Sequence, residues 1–295
     1  MGFEHGLKTI VVATDLDGRS EAALEYARKL ATAYSARIIL AHGLDPLDYA
    51  AVDKVPEHVV KELSEQAKAA LEKMANSLIR EGIRSHSEFR QGAVAAMLVD
   101  VAKQYDAGLI VVGTEGIEGA GPVIVGAIAE QLVRLAPCPV LAVAADWNAG
   151  PNRPTPGGPV LLAIEHNETT ATAVSTARSL AEIFARPLLV LHARDEAATA
   201  LDPCANTFKE FGIVPSERLV VRCLVRDGNP VDAISEAIAE FKPCILVAGV
   251  KRSSSTPGPH GTAFELLARS RVPVLCVPPE SVAAVLHPVA CTAAL

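Results

Sequence analysis

The chain has 295 residues, a formal net charge of −7, and a hydrophobic content of 50%. The acidic balance argues against nucleic-acid coats and binders of anionic membranes, both of which need a basic surface. The hydrophobic content excludes a largely disordered chain. At roughly 150 residues per domain, the length predicts about two domains.

Targeting signals and membrane spans are not predicted. The N-terminal stretch MGFEHGLKTI has no apolar core. The uncharged stretch 281–295 is too short to cross a bilayer and is interrupted by Pro288. The six cysteines form no CxxC pair and no signal peptide is predicted, so we expect reduced, mostly buried thiols in a cytoplasmic protein. The acidic charge and the lack of a membrane segment predict no nucleic-acid or membrane partner.

The first half of the chain alternates short apolar runs with amphipathic segments. Runs rich in β-branched residues predict buried strands, and apolar residues at helical spacing predict helices. The glycine at position 82 is expected to end the longest helix. The predicted strands are 10–14, 37–41, 87–90, 109–112 and 140–144, and the predicted helices are 20–34, 56–81, 93–104 and 126–135.

The second half repeats the first. Residues 9–43 align without a gap with residues 159–193, so that Ala13 matches Ala163. Two later blocks also recur in the same order, 89–113 with 225–249 and 136–143 with 270–277. Collinear matches of this kind indicate a tandem duplication.

Alternating strands and helices with near-continuous apolar strands predict an α/β fold, with two tandem doubly wound parallel-sheet domains. A Pro- and Gly-rich segment separates the copies and is incompatible with a helix or an inner strand. The closing strands Val140–Ala144 and Val274–Pro278 are apolar edges, so we expect them to pair and form an intramolecular pseudo-dimer. The predicted parts are domain 1 at 1–146, a linker at 147–158, domain 2 at 159–279 and a tail at 280–295.

Two predicted strand ends in the first copy carry residues suited to a ligand. Asp15 follows the first strand and suits a ribose hydroxyl or a metal ion on phosphates, although it is also suited to capping the next helix, for which Ser20 and Asp17 are better placed. After the fourth strand, glycines occur as Gly113-x2-Gly116-x9-Gly126-Ala127. Glycines let the backbone approach a ligand, and a helix that opens at Gly126 offers free N–H groups to a phosphate.

These features together resemble the universal stress protein family. The resemblance rests on the glycine spacing, on Asp15, and on the closing string APCPVL at 136–141, and it recurs once per copy. It implies a flavodoxin-like topology, akin to adenine nucleotide alpha hydrolases, with strand order 3-2-1-4-5. It also implies a pocket for ATP, ADP or AMP, with Mg²⁺ as a companion of the phosphates.

Family positions carried onto this chain give a nucleotide-binding set, with no catalytic or metal-ligating residue assigned. The base and ribose are expected beside the first two strand ends and the fourth, and the phosphates beside the glycines that follow. The set comprises Ala13, Thr14, Asp15, Gly43, Val112, Gly113, Gly116, Gly126, Ala127 and Ile128. The family's hydroxyl after the third glycine is missing at Ala127, and Gly43 replaces a usual valine.

The second copy departs further from the family motif. Its spacing is Gly249-x2-Arg252-x8-Gly261-Thr262, with an arginine in place of the second glycine, and Glu165 replaces the aspartate. We expect this site to be degenerate, with Arg252 as a phosphate ligand for a different compound as the alternative.

The leading functional hypothesis is an adenine-nucleotide-binding sensor or regulator of the stress response, active mainly through domain 1, with further association into homodimers open. A different class of function is a scaffold or a carrier of a non-nucleotide small molecule, bound in the second copy. A third is a Mg²⁺-dependent nucleotide hydrolase with weak ATPase or autophosphorylating activity, although no residue is identified as its general base.

Overall fold

The computed structural model describes residues 7–45, 56–114, 127–148, 157–165, 169–194, 208–213, 215, 219–250 and 262–279. The first half contains β1 (Thr9–Ala13), α1 (Glu21–Tyr34), β2 (Arg37–Leu44), α2 (Glu57–Arg80), β3 (Ser85–Gln91), α3 (Val94–Gln104), β4 (Leu109–Gly113), α4 (Ala127–Leu135) and β5 (Val140–Val143). The second half contains β6 (Val160–Ile164), α5 (Thr170–Ile183), β7 (Leu188–Arg194), β8 (Val221–Asp227), α6 (Pro230–Phe241), β9 (Ile245–Gly249), α7 (Thr262–Arg269) and β10 (Val274–Val277).

The described strands form one ten-stranded sheet in the order β3-β2-β1-β4-β5-β10-β9-β6-β7-β8. Each half has its own strands in the predicted order 3-2-1-4-5, and all pairs within a half are parallel. The predicted fold of two tandem doubly wound parallel sheets is confirmed.

The two halves meet through β5 and β10, which pair antiparallel. Leu141 lies opposite Leu275, and Val140 lies opposite Cys276. All residues of both strands are buried. Two apolar strand edges therefore cover one another, as unpaired edges in a hydrophobic sheet require.

Helices cover both faces of this sheet, and each layer runs across both halves. One face packs against α1, α2 and α5, and the other packs against α3, α4, α6 and α7. Side chains alternate between the faces, so that Ile10 and Val12 enter one core and Val11 enters the other.

Side-chain contacts also cross between the halves on both faces. The Tyr26 hydroxyl donates a hydrogen bond to the Cys244 carbonyl oxygen at 3.2 Å. The Arg134 guanidinium lies 4.6 Å from the centre of the Phe264 ring. Trp147, at the start of the predicted linker, is buried, and its ring lies 5.3 Å from that of Tyr26. The chain is thus packed against the first half up to this tryptophan.

Most element boundaries agree with the predicted ones within two residues, but β2 is longer than predicted. The pattern ends the strand at Ala41, whereas β2 continues through His42 and Gly43 to Leu44. The extension exists because β3 continues to pair with it as far as Leu44 and Gln91. Pairing with a neighbouring strand therefore overrides the polar residue and the glycine.

Helix α2 ends at a glycine, as predicted. Gly82 has a φ of +86°, in the left-handed region that favours glycine. Its N–H donates to the Ile79 carbonyl oxygen, and the Ile83 N–H donates to that of Leu78. This pair of hydrogen bonds forms a Schellman motif.

The cysteine prediction is partly wrong. Cys138, Cys244 and Cys276 are free thiols, and burial raises their pKa values to about 12, 11 and 12, so they are poor nucleophiles near neutral pH. Cys223, in contrast, is disulfide-bonded. The expectation of six reduced thiols therefore fails at this position.

In the part of the chain that the structure describes, no helix is long and apolar enough to cross a bilayer.

Helix α6 begins with a side-chain cap that its counterpart α3 lacks. The Asn229 Oδ1 accepts hydrogen bonds from the N–H groups of Val231 at 2.8 Å and Asp232 at 3.4 Å. Ala93 stands at the corresponding place before α3, with φ −54° and ψ 115°, close to the −62° and 129° of Asn229.

Exchanging the two capping residues is expected to move stability in opposite directions. Asn229→Ala should lower the free energy of unfolding by about 1 kcal/mol, because two N–H groups lose their acceptor. Ala93→Asn should raise it by up to about the same amount, since the backbone already has the required conformation. Urea denaturation of both variants measures the change, and an unaltered midpoint for Asn229→Ala would show that the cap contributes nothing.

Candidate binding site at the carboxyl edge of the sheet

The carboxyl ends of β1, β2 and β4 lie side by side in the first half. Ala13 pairs with Ala41, and the neighbouring β4 ends at Gly113. The Thr14 N–H continues the ladder by donating to the Ala41 carbonyl oxygen at 3.0 Å. The structure thus brings six of the predicted residues to one edge of the sheet, namely Ala13, Thr14, Asp15, Gly43, Val112 and Gly113.

Asp15 organises the loop between β1 and α1. Its Oδ1 accepts hydrogen bonds from the Ser20 hydroxyl at 2.8 Å and from the N–H groups of Asp17 and Ser20, both at 3.3 Å. Ser20 occupies the N-cap position of α1 but makes no side-chain capping hydrogen bond. Asp15 therefore fixes the loop around the helix start, and its other oxygen lies 3.6 Å from Arg19 Nε.

A second carboxylate in the same loop is paired more tightly. Asp17 accepts a hydrogen bond from Arg19 Nε at 2.8 Å. The Arg19 side chain lowers the pKa of Asp17 to about 2, so this carboxylate stays charged at neutral pH. The pair is exposed, and its contribution to stability is correspondingly small.

His42 and Met97 occupy the space at the end of β2. The His42 Nδ1–H donates to the Thr14 carbonyl oxygen at 2.7 Å, which fixes the ring at the rim of the sheet. A Cβ placed on Gly43 would lie 2.9 Å from Met97 Cε and 3.1 Å from Val94 Cγ2. The Met97 methyl therefore rests directly on Gly43, and sequence reasoning missed this residue.

The described neighbours of Gly113, at the end of β4, leave room for a Cβ. A Cβ built on Gly113 would make ordinary van der Waals contact with the backbone of Arg19, Ser20 and Val143, the nearest atom being the Arg19 carbonyl oxygen at 3.8 Å. The packing of the described residues therefore does not require a glycine here. Gly249, its counterpart in the second half, differs, because a Cβ there would lie 1.9 Å from Thr169 Oγ1.

The predicted phosphate-binding segment is described only at its helical end. Gly116 and Gly126 lie outside the described residues. Ala127 is the first residue of α4, and Ile128 follows it with 38% of its surface exposed. The start of α4 presents backbone N–H groups without helical partners, which are suited to an anion.

A cavity of about 250 Å³ lies at the carboxyl edge of the second half, where the sequence predicted a degenerate site. Ten of its lining residues are alanine, isoleucine, leucine or proline, three are threonines, two are glycines, and one is Glu165. The lining comprises Ala163, Ile164, Glu165, Thr169, Thr170, Ala173, Leu191, Ala193, Gly228, Pro230, Ile234, Ala248, Gly249, Thr262, Ala263 and Leu266. Arg252 and Gly261 lie outside the described residues.

The carboxyl edges of the two halves differ in the side chains that the first turns of α3 and α6 place there. Helices α3 and α6 start alike, since the N–H groups of Met97 and Ala233 donate at 3.0 Å to the carbonyl oxygens of Ala93 and Asn229. Where the first half has Met97 against Gly43, the second has Ala233 and Ala193. Met97 thus covers Gly43 in the first half, whereas alanines stand at both corresponding positions in the second. Among the described residues, no group of three or more histidine, cysteine, aspartate or glutamate side chains is placed to hold a metal ion.

The fold and its edge sites define a two-repeat, doubly wound α/β protein, and the comparisons with known proteins agree. A model of the universal stress protein family matches residues 6–144. A universal stress protein of Methanocaldococcus jannaschii is 30% identical over 142 residues, covering 48% of this chain and 84% of that protein. One from Thermus aquaticus is 31% identical over 137 residues, covering 46% of this chain and 98% of that protein. The chain belongs to the universal stress protein family.

A solved structure shares the architecture over nearly the whole length. The crystal structure of a universal stress protein from Archaeoglobus fulgidus superposes with a TM-score of 0.74 at 19% sequence identity. The match covers 92% of this chain and 98% of that chain, so it includes both halves. At this identity, the likeness concerns the fold alone.

Proposed function

We propose that this universal stress protein binds an adenine nucleotide at the carboxyl edge of the first repeat and acts as a regulator of the stress response in the cytoplasm. The observation that carries the proposal is the room for a Cβ that the described residues leave at Gly113, beside the Asp15 loop. In open parallel sheets, ligands bind at this edge, where the strand order reverses. A glycine that the packing of the described residues does not need is explained by a ligand that approaches its backbone.

The nucleotide would use the edge in two parts. The base and ribose would lie between the ends of β1, β2 and β4, against the loop that Asp15 holds in place. The phosphates of ATP, ADP or AMP would meet the N–H groups at the start of α4, where Ala127 lacks a hydroxyl but keeps its N–H. Loss of one hydrogen bond to a charged phosphate weakens binding by about tenfold or more.

Magnesium would enter with the nucleotide. Carboxylates and phosphate oxygens are the ligands that Mg²⁺ prefers, and it usually keeps several waters when bound to nucleotides. Asp15 Oδ2 would be the carboxylate ligand of the magnesium ion, and in this structure it lies 3.6 Å from Arg19 Nε. Asp15 would thus serve binding of the nucleotide and its metal ion.

We also propose that the two repeats act as an intramolecular pseudo-dimer, with domains at 1–146 and 159–279, a linker at 147–158 and a tail at 280–295. The antiparallel β5–β10 pair and the Tyr26–Cys244 hydrogen bond support this arrangement. Both edge sites would then belong to one rigid sheet.

Met97→Ala tests where the base lies. If the base occupies the space over Gly43, the Met97 side chain must first move away. The apparent affinity of the wild-type protein is then the intrinsic affinity multiplied by the fraction of molecules in which Met97 is displaced. The variant is therefore expected to bind Mg-ATP about threefold to tenfold more tightly in isothermal titration calorimetry. Met74→Ala, on α2 under the other face of the sheet, is the matched control and should bind as the wild type does.

A weaker affinity in a folded Met97→Ala protein would show that the methionine supports the ligand instead of excluding it. The thermal unfolding midpoint of both variants needs to be recorded, because a buried methionine truncated to alanine costs about 2–5 kcal/mol of stability.

A second candidate function, carriage of a different small molecule, is favoured by the cavity in the second repeat.

A further inference from the structure

The loop between β1 and α1 places one guanidinium beside two carboxylates. The Arg19 Nε–H donates to Asp17 Oδ2 at 2.8 Å, and the same nitrogen lies 3.6 Å from Asp15 Oδ2. The backbone N–H of Arg19 donates to Asp17 Oδ1 at 3.2 Å, so Asp17 holds both the backbone and the side chain of this arginine. The structure describes every residue of the loop, 14–20, and its side chains carry two negative charges and one positive charge.

The two carboxylate oxygens of Asp15 differ in what surrounds them. Oδ1 is engaged by the loop itself, since it accepts hydrogen bonds from the Ser20 hydroxyl and from the N–H groups of Asp17 and Ser20. Oδ2 is the oxygen that faces the Arg19 guanidinium. It is also the oxygen that would bind the magnesium ion of a nucleotide. Arg19 therefore supplies positive charge at the place proposed for a metal ion.

The backbone of Arg19 lies beside the proposed path of the nucleotide. The Arg19 carbonyl oxygen and the Ser20 Cα are the two atoms nearest to a Cβ built on Gly113, at 3.8 Å and 3.9 Å. The glycine-bearing segment that follows β4, residues 114–126, contains two glutamates and no lysine or arginine. A phosphate bound beside that segment gains no positive side-chain charge from it, so the charge has to come from a metal ion or from a neighbouring element.

The second repeat lacks this arginine. In the gapless alignment of the two copies, Thr169 corresponds to Arg19 and Asn167 corresponds to Asp17. Thr169 is 1% exposed and packs against Gly249. The fold can therefore be built without an arginine at this position, and its presence needs an explanation that is specific to the first repeat.

The ion pairs of Arg19 are weak enough to open when a ligand binds. The side chains of Arg19, Asp15 and Asp17 are 38%, 31% and 46% exposed. Ion pairs with this exposure contribute little to stability, because water and salt screen them. A divalent cation or a phosphate can therefore replace one partner of Arg19 at small cost.

We propose that Arg19 takes the place of Mg²⁺ when the first repeat binds a nucleotide without the metal, and that Arg19 and Mg²⁺ compete for Asp15 Oδ2 when the metal is present. Without magnesium, the guanidinium bridges the loop carboxylates and the phosphates. With magnesium, Asp15 Oδ2 is taken by the metal ion and Arg19 keeps its bonds to Asp17. The inference rests on the proposed function, because it concerns how metal availability regulates the same site.

Titration calorimetry of the full-length protein with ATP, once in excess Mg²⁺ and once in EDTA, tests the proposal. The quantity compared is the ratio of the dissociation constant in EDTA to that in Mg²⁺. We expect this ratio to stay below about threefold in the wild type, because Arg19 replaces the metal. In Arg19→Gln it should rise to at least about tenfold, since two uncompensated carboxylates then repel a phosphate that no metal ion neutralises.

Adding Asp15→Asn to Arg19→Gln tests whether the competition runs through Asp15. The amide oxygen of asparagine can still accept the hydrogen bonds that Asp15 Oδ1 accepts, whereas its NH₂ group cannot bind a metal ion. The double variant loses both the metal ligand and one of the two repelling charges. We therefore expect its ratio to return to within about threefold.

Two control variants separate the position of the charge from its amount. Arg178→Gln removes the same charge from α5, where Arg178 Nε donates to Glu182 at 2.9 Å, and it should keep the wild-type ratio. Arg19→Lys retains the charge and should stay within about threefold of the wild-type ratio. The binding event to be followed is the one that Gly113→Ala weakens, which assigns it to the first repeat.

The Arg19 Nε–H signal in a proton–nitrogen NMR correlation spectrum gives a readout that structural damage would not mimic. Its absence in Arg19→Lys identifies it. We expect ATP in EDTA to shift this signal in the wild type, because a phosphate becomes a neighbour of the guanidinium.

Equal ratios in the wild type, Arg19→Gln and Arg178→Gln would overturn this inference and leave the proposed function intact. A wild-type ratio of about tenfold or more, or an Arg19 signal that ATP in EDTA does not move, would do the same. If the wild type binds no ATP in either buffer, the proposed function is wrong and this inference is overturned with it.

Discussion

Gly113→Ala is expected to lower the affinity for Mg-ATP at least about tenfold while shifting the thermal unfolding midpoint by less than about 1 °C. The new methyl group would make ordinary van der Waals contact, since its nearest neighbour among the described residues is 3.8 Å away. It would therefore cost the folded protein little, but it would occupy the path by which a nucleotide reaches the end of β4. Calorimetric titration and a thermal melt on the same preparation give both quantities.

Gly249→Ala is the matched variant in the second repeat, and it is expected to behave in the opposite way. Its methyl group would lie 1.9 Å from Thr169 Oγ1 and 2.9 Å from Thr169 Cβ, and Thr169 is buried. Forcing such a neighbour to move costs about 1–3 kcal/mol, which lowers the midpoint by roughly 2–10 °C. If Gly113→Ala destabilises the protein as much as Gly249→Ala does, there is no room for a Cβ at Gly113 and the proposed nucleotide path is wrong.

Leu275→Ala is expected to lower the free energy of unfolding by about 2–5 kcal/mol. Leu275 lies opposite Leu141 where the two halves meet, and both side chains are almost completely buried. Truncation would leave a cavity in the core that both halves share under α1 and α5. Because the strands of both halves form one sheet, urea should unfold the variant in a single transition at a lower midpoint.

Leu135→Ala is the control for this substitution, since Leu135 on α4 is 57% exposed and its truncation should change stability by less than about 0.5 kcal/mol. Two separate unfolding transitions in the Leu275→Ala protein would show that the halves are independent domains. A change as small as that of the control would show that the β5–β10 junction contributes little to stability.

The fold was largely predictable because both copies show the same order of apolar strands and amphipathic helices. Ile10, Val11 and Val12 read as one buried run, and both of their neighbours in the sheet are equally apolar. A parallel strand buried on both faces has this pattern, and its alternation with helices restricts the possible topologies. The extension of β2 through Gly43 was missed because it depends on its neighbour β3, which no local pattern contains.

The candidate sites were predictable only in part. Family positions located the edge formed by Asp15 and Gly113, since both follow apolar strands. They did not reveal that Met97 rests on Gly43, because this depends on which side chain of α3 meets the end of β2. For the same reason, the motif marked the second repeat as degenerate, whereas a cavity lined in part by Ala193 lies there. A missing motif therefore does not indicate whether the packing of side chains leaves a cavity.

Binding of an adenine nucleotide by the first repeat is tested most directly by denaturing the purified protein and identifying what is released by mass spectrometry, with a thermal melt in millimolar Mg-ATP on the same sample. We expect about one ATP, ADP or AMP per chain, or a midpoint raised by Mg-ATP if the nucleotide is lost during purification. Absence of released nucleotide together with an unchanged midpoint would contradict it.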